Sequence, residues 1–113
     1  MAICWYCHWG WSEPVAAIYR RYLAVAGESA MHYGPAHIVW EDENFERESV
    51  QGCLDHVNEY RHETATDEQH AAVKASLEAL LALPDDLLDP CPMDYDNENP
   101  TQYPPAVKMV PRP

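Results

Sequence analysis

The sequence predicts a mainly helical α+β domain: three helices and a short strand around an N-terminal knuckle, followed by an extended C-terminal tail. Three observations carry this expectation. Apolar residues recur at helical spacing in three separate stretches. Two short pairs of sulfur and imidazole side chains, Cys4/Cys7 and Cys53/His56, stand far apart in the chain. Eight of the ten prolines fall within residues 84–113, where they discourage regular structure. The expected organisation is one helical domain over 1–83, with 84–113 as a Pro-rich tail packing on it.

The first eleven residues, MAICWYCHWGW, are dense in aromatic side chains. Trp5, Tyr6, Trp9 and Trp11 surround Cys4, Cys7 and His8, which reads as a knuckle beneath an aromatic cover. The first helix follows. Ser12 is its N-cap, Glu13 suits the positive end of the helix dipole, and Pro14 is tolerated in the first turn. Val15, Ile18, Tyr22 and Val25 form its expected buried stripe, Arg20 and Arg21 its wet side, and Gly27 its stop.

Residues 28–36 read as a loop punctuated by Gly34-Pro35. His37-Ile38-Val39-Trp40 is β-prone and supplies the expected strand, followed by an acidic turn of Glu41, Asp42 and Glu43. The second helix is expected over about residues 45–61, with Val50, Cys53, Leu54, Val57 and Tyr60 along its apolar line. The third opens with the capping box Thr66-Asp67-Glu68-Gln69, carries Val73, Leu77, Leu80 and Leu81 inward, and ends before Pro84. A link of a few residues between these two helices favours an antiparallel hairpin. Leu87, Leu88, Met93, Tyr95, Tyr103, Val107 and Met109 are scattered through the tail, which fits a segment wrapped on the core.

The residues with the clearest chemistry are the two pairs. Cys4-Trp5-Tyr6-Cys7 is a C-x2-C and Cys53-Leu54-Asp55-His56 a C-x2-H, with 45 residues between them. Two intervening residues let one short turn aim two side chains at one point. Three thiolates and a neutral imidazole match zinc, a borderline-soft cation, and four such ligands close a tetrahedral site. The expected cofactor is therefore one structural zinc ion on Cys4, Cys7, Cys53 and His56, with His8 or Cys91 as substitutes for the fourth ligand. In outline the ligand pairs resemble a treble-clef zinc finger, where a knuckle gives two ligands and a helix two more. The resemblance stops at the ligands, because a helix stands over residues 12–27 where that finger carries a β-hairpin. It implies an architecture and no activity.

Cys4-Trp5-Tyr6-Cys7-His8 also matches C-x-x-C-H, the attachment signature of a c-type haem, with Met31, Met93 or a histidine as second axial ligand. Against haem stand the lack of an export signal and the idle Cys53 and Cys91. Elsewhere His32 and His37 flank a loop before the acidic turn, and His62, Glu63 and His70 follow the second helix. None matches the H-E-x-x-H or P-C-x-x-C patterns of metalloproteases and deaminases, and no phosphate-binding G-x-x-x-x-G-K or G-x-S-x-G elbow occurs.

Lys and Arg number 7 against 19 Asp and Glu, a net charge of -12. Such a surface repels nucleic acid and anionic lipid and favours a basic protein partner. No apolar run approaches the about 18 residues that span a bilayer. The four cysteines, read without a secretory signal, point to metal ligands in a reducing cytoplasm. The expected function is a small cytoplasmic, non-enzymatic, zinc-binding interaction module. The alternatives are the haem electron carrier and an acidic nucleic-acid mimic that inhibits a DNA-binding protein.

Overall fold

The computed structural model describes residues 10–28, 34–88 and 109–111; the side chains of Gly10 and of 109–111 are not described. The chain is mainly helical. In order come strand β1 (Gly10–Ser12), helix α1 (Glu13–Ala26), a short helix α2 (Gly34–Ala36) that widens into a π-helical turn over His37–Glu41, α3 (Arg47–Glu59), α4 (Asp67–Leu81), a one-turn α5 (Asp85–Leu88), and strand β2 (Met109–Pro111). Of the knuckle expected over residues 1–11, residues 1–9 with Cys4, Cys7 and His8 lie outside the described residues, as do His32, Cys91 and most of the Pro-rich tail, and Gly10 and Trp11 belong to β1.

Side-chain caps start α1 and α4, and a glycine ends α1. Ser12 is fully buried; its Oγ accepts the Val15 amide at 3.4 Å and donates to the Leu87 carbonyl at 2.5 Å. One hydroxyl thus caps α1 and ties it to α5. Gly27 ends α1 at φ 76° and ψ 168°, a conformation that essentially only glycine adopts and that costs an L side chain about 1–3 kcal/mol. Thr66 and Gln69 form the reciprocal capping box of α4: Gln69 N–H donates to Thr66 Oγ1 at 3.1 Å, and Thr66 N–H to Gln69 Oε1 at 3.0 Å. The Gln69 side-chain amide also donates to the Ala26 carbonyl at 3.2 Å, joining the end of α1 to the start of α4.

Helix α4 is the centre of the packing and lies against both α1 and α3. Val15, Ile18 and Tyr22 face inward from α1, Val50, Cys53, Leu54 and Val57 from α3, and Val73, Leu77 and Leu80 from α4. Two expected core positions are solvent-facing instead. Val25 is 58% exposed, and Ala26 takes the inward place in the last turn of α1. Tyr60 is 63% exposed because α3 has already ended at Glu59 and the chain is extended there.

The strand expected at His37–Trp40 is a correction: these residues are helical. A half-buried strand would alternate, yet Val39 and Trp40 are consecutive and both buried. Together with Ala36 they occupy i, i+3 and i+4 on one helical face, and a partner for the β-prone run would have interrupted that face. The π-helical register is visible in the Asp42 amide, which donates to the His37 carbonyl five residues back. The sheet forms elsewhere. β1 and β2 pair antiparallel, with Gly10 opposite Pro111, Trp11 opposite Val110 and Ser12 opposite Met109.

An aromatic cluster closes one side of the core. Trp11 meets Tyr19, Trp40 and Phe45 at centroid distances of 5.1, 5.6 and 5.4 Å, and Tyr22 stacks on Trp40 at 6.1 Å. Trp11, expected over the knuckle, is therefore a core residue. Its indole N–H donates to Glu43 Oε1 at 3.0 Å. Glu43 is buried and sits at φ 54°, an unusual conformation for a non-glycine residue.

Candidate functional site

Helix α3 carries the described half of the expected metal set. Cys53 and His56 are three residues apart, so their Cβ atoms are neighbours on the helix surface. Their environments differ. Cys53 is 8% exposed among the core side chains, and burial pushes its thiol above the ordinary value. His56 is exposed on the adjoining edge, its ring 5.1 Å from that of Tyr60. A ligand held by both would enter at the border between core and solvent. Cys4 and Cys7 lie outside the described residues, so only this pair is described. Among the described residues no group of three or more His, Cys, Asp or Glu side chains is arranged to hold a metal.

His56 also lines a cleft of about 150 Å³ where the end of α3, the 60–66 connection, the start of α4 and Gly34-Pro35 of α2 meet. His62 and His70 line the same cleft, with Tyr60 and Arg61 beside them and Val57 and Val73 as its apolar part. His62 Nδ1 accepts the Thr64 amide at 3.2 Å, which places the ring proton on Nε2 in the neutral form. Arg61 donates to the Ala65 carbonyl at 2.9 Å and pairs with Asp67 at 2.5 Å, so its guanidinium braces the connection between the two helices.

Sequence reasoning named all three histidines but not their convergence. The signal for it is the antiparallel hairpin: folding α4 back on α3 brings the last turn of α3, the connection that carries His62 and the first turn of α4 to one cleft. The acidic turn is also more differentiated than its composition. Glu41 pairs with His37, Asp42 is exposed and 3.5 Å from the other ring nitrogen of His37, and Glu43 is the buried acceptor for Trp11.

No protein-family model matches this chain, and no similar curated protein or solved structure is found. The reading of function therefore rests on these residues. Among the described residues no helix is long and apolar enough to cross a membrane.

Proposed function

We propose that this chain is a small cytoplasmic zinc-binding protein of non-enzymatic type, which presents an acidic surface to a basic protein partner. One structural zinc ion is held by Cys4, Cys7, Cys53 and His56. The observation that carries the reading is the placement of Cys53 and His56 as neighbours on α3 at the edge of the core. Cysteine pairs with this spacing and a nearby imidazole form closed zinc sites. Zinc binding would release the Cys53 proton, which burial otherwise holds on the sulfur, and so couple the ion to folding.

The partner class rests on charge. Glu48, Asp55 and Glu59 are all exposed on α3, within a chain of net charge -12. A field of this sign steers cationic surfaces and repels nucleic acid.

Metal content of the full chain tests the proposal directly. Purified protein should contain one zinc per chain by elemental mass spectrometry, and Cys4→Ser or Cys53→Ser should lose it. His56→Ala losing none while His8→Ala or Cys91→Ser does would reassign the fourth ligand. Iron with a Soret band, or no metal taken up on refolding with zinc, would overturn the zinc site.

A further inference from the structure

The cleft at the turn of the α3–α4 hairpin gathers nitrogen side chains in a molecule that is otherwise acidic. Three of the six histidines, His56, His62 and His70, line it together with Arg61, and no Asp or Glu does. Glu59, Glu63 and Asp67 belong to the same stretch of chain, yet none of them is part of the lining. The inner wall is apolar: Val57 and Val73 are buried, with Ala65 and Pro35 half-buried beside them. The donors stand around that wall. A guanidinium has five N–H groups, of which the Ala65 carbonyl and Asp67 take one each from Arg61. His62 accepts the Thr64 amide on Nδ1 at 3.2 Å, so its neutral ring donates from Nε2. The side chain of His70, half-buried in the first turn of α4, makes no hydrogen bond or ion pair among the described residues.

We propose that this cleft binds a small monocarboxylate whose apolar body is the size of a benzene ring. Volume sets the body: the cleft holds about 150 Å³, the size of an apolar cavity that takes up benzene. Charge sets the head group. An ammonium would meet a guanidinium and find no carboxylate on the wall. A neutral hydrocarbon would cover the donors of Arg61, His62 and His70 without accepting from them, which costs free energy for each group left unmade. Inorganic phosphate would satisfy the donors and leave the apolar wall of Val57 and Val73 in water. A carboxylate on a ring answers both halves of the lining: its oxygens accept from the imidazoles and from Arg61, and a guanidinium is matched to a carboxylate in shape as well as charge.

The net charge of -12 opposes an anion at long range, but at physiological salt it is screened beyond about 8 Å, which leaves the lining to decide. His56, given above to zinc, is a wall of this cleft and not one of its required donors. Either site can therefore be occupied without the other.

Titration of the nitrogen-15-labelled full chain with benzoate at neutral pH, followed by amide correlation spectra, tests the proposal. The amides of Val57, Tyr60, Arg61, His62, Ala65 and His70 should move together and saturate with a Kd of about 1 mM, within the efficiency usual for a ligand of this size. Benzamide, the same ring without the charge, should bind about 10-fold more weakly or worse. Arg61→Gln and His70→Leu should each weaken benzoate about 5-fold or more, with folding checked by circular dichroism. His70→Leu leaves the brace of Arg61 on the connection in place, so it reads the cleft even if Arg61→Gln loosens the hairpin. Shifts that never saturate, or that centre on Ile18, Tyr22 and Val25 between α1 and α4, would overturn the proposal. So would benzamide binding as tightly as benzoate, or a folded His70→Leu chain with undiminished affinity.

Discussion

Arg47 should be worth more to stability than any other exposed charge in the described structure. It occupies the first position of α3, where a cation opposes the helix dipole by about 0.3 kcal/mol. Its guanidinium reaches across to the end of α4, whose last turn contains no basic residue of its own. Nη1 donates to the Leu81 carbonyl at 2.8 Å, Nη2 to the Leu83 carbonyl at 2.5 Å, and Nε to Asp85 at 2.6 Å. The Asp85 side chain is 86% exposed, so that pair contributes only about 0.2–0.5 kcal/mol. The two carbonyl bonds are charge-assisted and partly buried. Charge-assisted bonds contribute about 1.5–3 kcal/mol each when shielded; with the Arg47 side chain 39% exposed, about 1 kcal/mol each is the appropriate figure. Arg47→Met keeps the aliphatic stem and removes the fork, so it should cost about 2 kcal/mol, a fall in Tm of about 8 °C for a domain of this size. Arg47→Lys can serve one carbonyl and should cost about half as much. Asp85→Asn should cost about 0.3 kcal/mol. Urea unfolding followed by circular dichroism at 222 nm measures all three. If Arg47→Met falls within 0.5 kcal/mol of wild type, or Asp85→Asn costs as much as Arg47→Met, the carbonyl bonds are not what holds α3 to α4.

Two further outcomes follow from single positions. Gly27→Ala should cost about 1–3 kcal/mol by the same unfolding assay, entirely from the backbone at φ 76° and ψ 168°, because an added Cβ would meet no atom within 4 Å. Cys53 gives the metal-free chain an alkaline sensitivity. Its thiol pKa is higher folded than unfolded, so its stabilisation is complete below the ordinary thiol value of about 8.5 and is lost as pH rises through the folded value. The urea midpoint of chelator-treated wild type should fall more steeply above that pH than that of Cys53→Ala, and parallel curves would refute the assignment.

The parts of the fold that were legible in the sequence are those written in local chemistry. Ser12, Gly27 and the Thr66–Gln69 box marked helix ends because each satisfies backbone groups within a few residues of itself. The three apolar stripes placed α1, α3 and α4 because burial of one face is a periodic demand. Val39 and Trp40 misled because β-branched and aromatic residues favour strands only when a partner strand exists, and burial against Ser76 and the aromatic cluster prevailed. The roles of Arg47 and Glu43 were not legible, because each depends on contacts between elements separated by a turn or more of the chain. The cleft shared by His56, His62 and His70 was legible only in outline, through the hairpin of α3 and α4. Cys53 and His56 were read together from spacing alone, and spacing does not distinguish a buried thiol from an exposed imidazole.

The pairing of Ser12 with Met109 sets an order of events during synthesis. About a hundred residues separate the two strands, so a ribosome has released α1, α3 and α4 long before β1 meets its neighbour. The hydroxyl of Ser12 likewise waits for Leu87. The helical packing must hold the aromatic cluster in place while Trp11 stands on an unpaired edge, and it lowers the cost of the last pairing, because once Ser12 has met Leu87 only the stretch between Leu88 and Met109 remains to be closed.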